Sequence, residues 1–183
     1  MPSKGFINRH GLPVDWAALR ETYRPEDWTL PLPVLLAMAK GSTTPRPGDV
    51  RVTELAGDHQ QAILRRRHDY YEKPEGGLWA LVGTAFHALM EKHVDSEDAE
   101  RQVFAEVNGL RVGGRMDWLQ EGVITDWKTT SAIGVKIMNL STVEKEKPEW
   151  VKQLTLYKAI LCLNGWTGAG ALRGEVHVLS RDW

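Results

Sequence analysis

Asp117, Asp126 and Lys128 lie close together in the sequence and combine residue types that can act on phosphate esters. Counting outward from a two-residue turn at 121–122 places Asp117 opposite Asp126, with Cβ atoms roughly 5 Å apart, and Lys128 on the same face. Two facing carboxylates repel unless a positive group lies between them, and Mg²⁺ favours carboxylates, waters and phosphate oxygens as ligands. The three residues therefore indicate a site where one or two Mg²⁺ or Mn²⁺ ions and a lysine activate water at a phosphate.

The same hairpin also fits a surface network of ion pairs, in which the two aspartates, Lys128 and Arg115 satisfy one another. Spacing alone leaves both interpretations open. His87 and Glu91 lie one turn apart on a predicted helix that precedes the hairpin, so His87 could be a further ligand of the same site. A lone helical histidine, however, is usually an ordinary surface or core residue.

The elements that must position these residues follow from hydrophobic periodicity. Apolar residues recur at helical spacing over 78–93, and the period then changes to two, which predicts strands over 101–107, 110–119 and 123–129. The pairs at 108–109 (Asn-Gly) and 121–122 (Glu-Gly) suit tight turns, so the three strands should form an antiparallel meander. A helix over 149–163 and a strand over 172–180 are expected to follow.

The N-terminal region has a different composition, since seven of the nine prolines fall within the first fifty residues. Prolines disfavour long helices, yet Trp16 and Trp28 are too apolar for a solvated tail. We therefore expect residues 1–50 to form an extended arm that packs on the core, with a short helix over 34–40. Residues 51–183 would form one domain.

Two further segments are ambiguous. Thr53 resembles a helix cap, and residues 58–71 have helical composition. Within them Arg65, Arg66 and Arg67 are either a solvated face or a phosphate-contacting patch. Residues 130–147 suit an exposed, mobile segment, in which Lys136, Lys145 and Lys147 are candidate phosphate contacts.

Composition limits the classes of protein to consider. The chain has 183 residues and 42% hydrophobic side chains, which suits one sizeable core. Its formal charge of −1 gives no whole-protein positive field, so any contact with nucleic acid must be local. The single cysteine, Cys162, excludes a disulfide framework and a cysteine-ligated metal or iron–sulfur site within this chain. Without a membrane-length apolar run or a signal peptide, we expect a cytoplasmic protein of a bacterial or phage-infected cell.

Four motifs occur in order along the chain: GTAFH at 83–87, GRMD at 114–117, ITDWKTT at 124–130 and QLTLY at 153–157. In order and spacing they resemble the RecB-like branch of the PD-(D/E)XK nuclease superfamily. That branch includes helicase-linked exonuclease domains, CRISPR-associated adaptation nucleases and phage exonucleases. The resemblance runs from about residue 52 to the end and implies an α/β fold with a restriction-endonuclease-like core of helix, three-strand meander, helix and strand.

The resemblance also implies roles for individual residues. His87 and Asp117 would bind metal, as would Asp126 together with the backbone carbonyl of Trp127. Lys128 would be the catalytic lysine. Branch members with four cysteines hold an iron–sulfur cluster, so a chain with one cysteine would belong to the cluster-free subset.

Several residues would support this site or bind substrate. Gln153 and Tyr157 match the family's Gln-x-x-x-Tyr motif, which supports the site and contacts DNA, although both also fit an ordinary helix surface. Glu91 has no firm counterpart in the family and is a candidate supporting residue beside His87. The candidate DNA contacts are Arg65, Arg66, Arg67 and Arg115.

The function that follows is Mg²⁺- or Mn²⁺-dependent hydrolysis of DNA, as an exonuclease in phage or bacterial recombination, repair or processing. Single- or double-stranded DNA would be the main partner, with a homo-oligomer or a recombination protein as protein partners and no membrane. Two alternatives stay open. One is a catalytically inactive nuclease-like DNA-binding accessory protein, and the other is a metallohydrolase that acts on small phosphorylated molecules.

Overall fold

The computed structural model describes residues 3–40, 49–94, 99–166 and 172–180. Within these ranges the chain is a mixed α/β protein with eight strands in two sheets and eight α-helices. It divides into two compact units, one of residues 1–44 and 60–86 and the other of residues 45–59 and 87–183. The predicted boundary at residue 50 differs from both units, and the predicted packing of the arm on the core stays a prediction.

The first unit is built on a three-stranded sheet in the order β2-β1-β4. The central strand pairs antiparallel with one neighbour and parallel with the other. Around it lie short helices, and a small hydrophobic cluster fills the unit. Its elements are β1 (Ser3–Ile7), β2 (Pro13–Asp15), α1 (Leu19–Thr22), a 3-10 helix (Pro25–Asp27), α2 (Leu32–Lys40), most of α4 (His59–Arg67), β4 (Tyr70–Glu72) and most of α5 (Pro74–Glu91). Its buried cluster contains Phe6, Leu19, Trp28 and Leu35.

The predicted helix over 58–71 is wrong at its C-terminal end. Helix α4 ends at Arg67, and Tyr70 and Tyr71 belong to strand β4. Aromatic side chains favour extended backbone, and β4 gains a partner by pairing with β1. Long-range strand pairing therefore overrides the helical composition of this segment.

The second unit contains a five-stranded mixed sheet in the order β3-β6-β7-β8, with β5 paired to β6. Strands β5, β6 and β7 form the predicted antiparallel meander, and β8 runs parallel to β7. The predicted helices over 78–93 and 149–163 are confirmed as α5 and α8, with small shifts at their ends. The elements of this unit are β3 (Asp49–Arg51), α3 (Val52–Ala56), β5 (Ala99–Val107), β6 (Leu110–Gln120), β7 (Val123–Thr130), α6 (Ala132–Leu140), α7 (Val143–Glu146), α8 (Pro148–Leu163) and β8 (Arg173–Ser180).

The two tight turns of the meander set its register. Asn108 and Gly109 have φ of 51° and 77°, and Glu121 and Gly122 have 49° and 79°, so both turns have the left-handed backbone expected for short hairpins. Gln120 lies opposite Val123, as predicted from the second turn. The position of every side chain on β6 relative to β7 follows from this pair.

Helix α8 packs against the sheet through Leu154, Tyr157 and Ile160, which are buried together with Met116 and Ile124. Gly114 allows this close approach, because a Cβ atom there would lie 2.8 Å from the Tyr157 hydroxyl oxygen. Helix α8 is thus held close to the middle of β6, beside the predicted site residues.

Three smaller observations complete the second unit. The predicted cap at Thr53 is wrong, because α3 begins at Val52 and its N-cap is Arg51. The Arg51 amide donates a hydrogen bond of 2.9 Å to the Glu54 carboxylate. The segment over 130–147 contains α6 and α7, each capped by a hydroxyl, from Ser131 and Thr142 respectively.

Among the described residues, no helix combines the length and apolar character that crossing a membrane requires.

Candidate metal centre

Three acidic residues lie side by side across the meander of the second unit. Glu100 is on β5, Asp117 on β6 and Asp126 on β7. The ladder pairs on either side of Glu100 place it across from Asp117. Extending the β6–β7 register by one residue places Asp126 across from Asp117 on the other side. Since neighbouring strands are about 4.8 Å apart, such a row concentrates negative charge unless cations accompany it.

Asp117 is the central carboxylate and is only 8% exposed. Its Oδ2 accepts a hydrogen bond of 2.7 Å from the Trp127 amide. Its Oδ1 lies 3.2 Å from Nδ1 of His87, near the end of α5. The imidazole also meets the indole ring of Trp127 edge-on, with 6.3 Å between centroids. Asp117 and Trp127 together therefore orient His87.

Asp126 is 3% exposed and is held by two side chains. Nζ of Lys128 lies 2.8 Å from its Oδ2 and 3.1 Å from its Oδ1. The Gln153 amide, from α8, donates to Oδ1 at 2.9 Å, and its carbonyl oxygen accepts from Lys128 at 3.2 Å. Gln153 thus fixes the aspartate and the lysine relative to each other.

Glu100 is outside the set of predicted site residues, because the predicted strand begins at residue 101. Its carboxylate forms an ion pair with Arg115 and lies 3.9 Å from Nδ1 of His87. The sequence does contain a signal for it. Val107 lies opposite Leu110 across the first turn, and counting seven residues outward from that pair matches Glu100 with Asp117.

His87, Glu100 and Asp117 could hold a metal ion, because each offers a ligand atom within 4.8 Å of the others. Two carboxylates and an imidazole suit a divalent cation. Among the described residues, Oε2 of Glu100 and Oδ2 of Asp126 are fully buried without a hydrogen bond, although each faces a cationic side chain. These oxygens retain capacity for a further cation, so the residues present fit a metal ion.

The predicted ligand set is brought together in part. His87 and Asp117 belong to the trio, whereas Asp126 is engaged by Lys128 and Gln153. The carbonyl of Trp127 stays a predicted ligand.

Burial and neighbouring charges change the protonation of the site. The hydrogen bond with Asp117 raises the pKa of His87. Burial raises the pKa of Glu100 and that of Asp126, and the charges of Arg115 and Lys128 oppose these shifts. Without a metal ion, all three groups therefore hold their protons more tightly than exposed groups of the same type.

The two residues of the Gln-x-x-x-Tyr motif are both buried, unlike an ordinary helix surface. The Tyr157 hydroxyl donates to the Arg115 carbonyl at 2.8 Å, and burial raises the pKa of Tyr157, which keeps it protonated. Tyr157 therefore fixes the backbone two residues before Asp117. Trp118 stacks on Trp127, which is buried.

Of the remaining predicted residues, only Arg115 joins this cluster, through its ion pair with Glu100, while its side chain stays mostly exposed. Glu91 is exposed at the end of α5. The predicted run of three arginines belongs to the first unit, where Arg65 lies 5.4 Å from the Tyr70 ring and 3.9 Å from Glu72. Their contacts with DNA stay predictions, as do those of Lys136, Lys145 and Lys147.

Comparison with known proteins bears on the fold. No protein-family model matches the chain, and no curated protein sequence matches it. Among solved structures, the crystal structure of SSO0001 is similar, with a TM-score of 0.54 and 13% sequence identity. The similarity covers 81% of this chain and 70% of that chain. At this level of identity it shows a shared mixed α/β fold and no activity.

Proposed function

We propose that this protein is a Mg²⁺- or Mn²⁺-dependent deoxyribonuclease with the restriction-endonuclease-like core of the PD-(D/E)XK superfamily. One observation carries the proposal. Carboxylates from three adjacent strands meet a histidine, an arginine and a lysine within one compact unit. The four motifs and the order of α5, the meander, α8 and β8 support the same interpretation.

The metal would be held by His87, Glu100 and Asp117, with Asp126 beside them. A bound divalent ion would supply Lewis acidity to phosphate oxygens and lower the pKa of water. The chain itself orients these ligands. The Trp127 amide fixes Asp117, and Asp117 orients the imidazole of His87.

Lys128 is the residue that we assign to act on the reacting phosphate group or on the attacking water. Its ammonium is partly buried beside Asp126 and Gln153, so its position is fixed before substrate arrives. From there it can donate a hydrogen bond to an attacking water or to a charged phosphate oxygen. Gln153 is a positioning residue, because it acts through Asp126 and Lys128.

We favour an exonuclease that acts at DNA ends, because the motifs resemble those of exonucleases. Its context would be recombination, repair or processing of DNA. Linear and circular forms of one labelled DNA distinguish the two modes of action. An exonuclease degrades only the linear form, whereas cleavage of the circle identifies an endonuclease.

The test of the assigned site is hydrolysis of labelled single- and double-stranded DNA with Mg²⁺, with Mn²⁺ and with EDTA. Lys128→Ala and Asp126→Ala should lower the rate by about 100-fold or more, since Lys128 is proposed to act on the reacting phosphate and Asp126 holds Lys128 beside the metal ligands. Lys152→Ala is the matched control. Lys152 precedes Gln153 on α8 and is exposed, so its loss should leave the rate unchanged.

Three results would contradict the proposal. Activity that survives both substitutions would exclude the assigned site. DNA binding without hydrolysis would identify a non-catalytic accessory protein. Hydrolysis of small phosphate esters but of no polynucleotide would identify a small-molecule metallohydrolase.

A further inference from the structure

The ion pair between Glu100 and Arg115 links the candidate metal centre to the protein surface. The Glu100 side chain is 9% exposed, whereas that of Arg115 is 61% exposed. One oxygen of Glu100 faces the guanidinium, and the other lies 3.9 Å from Nδ1 of His87. Glu100 therefore stands between His87, a half-buried candidate metal ligand, and a cation that solvent can reach.

The backbone at Glu100 has an unfavourable conformation. Its φ is 50°, in the left-handed region that side chains other than glycine rarely adopt. Asn108 and Glu121 share this property among the described residues, and both lie in the tight turns of the meander. Glu100 instead lies near the start of β5, between two residues that pair with β6. Strained backbone of this kind tends to persist where a side chain has a functional position.

The net charge of the three carboxylates and their cationic partners depends on whether a metal ion is bound. When His87 is neutral, Arg115 and Lys128 offset two of the three carboxylates, which leaves one surplus negative charge. A divalent ion would change that surplus to one positive charge. The carboxylates then no longer require Arg115, and Arg115 is the cation with access to solvent.

We propose that Arg115 competes with the divalent ion for Glu100 and that ion binding releases its guanidinium to a phosphate of the DNA. Metal loading and substrate binding would thereby be coupled. Arginine suits this role, because its planar guanidinium matches both carboxylate and phosphate oxygens. The competition for Glu100 involves only Arg115 and the metal ion, whereas the release of Arg115 to a DNA phosphate rests on the proposed function.

The competition is tested by titrating the protein with Mn²⁺ without DNA and following free Mn²⁺ by electron paramagnetic resonance. Glu100→Gln should bind Mn²⁺ about 10-fold more weakly, as expected for the loss of a charged ligand. Arg115→Ala should bind it about 3-fold more tightly, because its partly exposed ion pair no longer competes. Arg111→Ala, on the same strand with its guanidinium over the Phe104 ring, is the control for loss of one positive charge.

Three glycine variants control for effects on folding, because each relieves the backbone strain of one left-handed residue. Glu100→Gly, Asn108→Gly and Glu121→Gly each place glycine at a left-handed position. All three should keep their melting temperatures within about 4 °C of the unmodified protein. Only Glu100→Gly should weaken Mn²⁺ binding.

The release is tested by fluorescence anisotropy with a phosphorothioate oligonucleotide that resists cleavage. Mn²⁺ should strengthen binding of this DNA by the unmodified protein and by Arg111→Ala. The strengthening should fall about 3-fold or more in Arg115→Ala, because one charge-assisted phosphate contact is lost.

The outcomes separate the two proposals. If Arg115→Ala binds Mn²⁺ no more tightly than Arg111→Ala, the competition is overturned. If the Mn²⁺ titrations behave as expected but Mn²⁺ strengthens DNA binding equally in both arginine variants, the release is overturned. A failure of the nuclease proposal, in which no DNA is hydrolysed, would leave the Mn²⁺ titrations as they stand.

Discussion

Asp117 holds two elements in place with two oxygens of one side chain. The Trp127 amide donates to one oxygen, and His87 faces the other. An aspartate at this position therefore combines a structural task, which needs only an acceptor, with ligand chemistry, which needs a negative charge. The two tasks can be separated by choosing the substituting residue.

Asp117→Asn should keep the acceptor for the Trp127 amide and lose the charged ligand. We expect near-normal stability but Mn²⁺ binding weakened about 10-fold or more. Asp117→Ala leaves the buried amide without its acceptor, so it should lower the free energy of unfolding by about 1–3 kcal/mol. Urea unfolding and Mn²⁺ titration of both variants measure these effects. Equal stability of the two variants would contradict the structural role of the carboxylate.

The stability of the metal-free protein should depend on pH through His87. Its pKa is raised in the folded protein, so the stability that its proton contributes is fully present below the unfolded value of 6.5. That contribution is lost as pH rises through the higher folded pKa. Urea midpoints in EDTA should therefore fall between pH 6 and 8. The fall should be smaller in His87→Gln and unchanged in His93→Gln, an exposed histidine just beyond α5. An unchanged slope in His87→Gln would contradict the assignment.

Residue types and counting predict part of the site. Asp117, Asp126 and Lys128 follow from the turn at 121–122, because a short hairpin fixes which residues face each other. Glu100 follows from the same counting across the turn at 108–109, but its left-handed backbone has no sequence signal. The same counting places Arg115 diagonally across from Glu100. The direction of the Glu100 side chain, which the ion pair needs, depends on that left-handed backbone.

At the scale of elements, the site depends on how closely α8 approaches β6. Gly114→Ala should lower the free energy of unfolding by about 1–3 kcal/mol, because the added methyl group would lie 2.8 Å from the Tyr157 hydroxyl oxygen. Tyr157→Phe removes that oxygen and its hydrogen bond to Arg115, at a cost of about 1 kcal/mol. The double variant should lose less than the two single variants together.

A double-mutant cycle by urea unfolding measures this coupling. Gly76→Ala serves as the control, since no atom outside its own helix lies within 4 Å of the added methyl group. That substitution should be neutral or slightly stabilising. Additive losses from Gly114→Ala and Tyr157→Phe would contradict the steric contact.

Element prediction succeeded where the signals were local. The meander and its flanking helices have clear periodicity and turn residues, and the structure contains them. The prediction of a helix over 58–71 was wrong at its C-terminal end, because β4 pairs with β1, which is far away in sequence. A parallel pairing of this kind has no turn that could indicate it.

At the scale of the whole molecule, every residue of the metal centre belongs to the second unit. Hydrogen exchange with and without Mn²⁺ should therefore show increased protection of amides in β5, β6 and β7. Protection of β1 and β2 should not change, because they belong to the first unit. Glu100→Gln should need about 10-fold more Mn²⁺ for the same increase in protection. Equal protection of both units by Mn²⁺ would contradict this assignment.

The division into units was not predictable from composition. The change in proline content suggests a boundary near residue 50, but residues 60–86 group with the N-terminal residues. The pairing of β1 with β4 contributes to this grouping, and it closes a long loop that sequence periodicity does not record.

The row of carboxylates also has a fixed order of synthesis relative to its partners. All three acidic residues belong to one meander, whereas Gln153 follows Lys128 by 25 residues. At about 5–20 residues per second the ribosome needs at least a second to add that stretch. Arg115 and Lys128 are part of the same strands, so the cationic partners of Glu100 and Asp126 are synthesised together with them and ahead of Gln153.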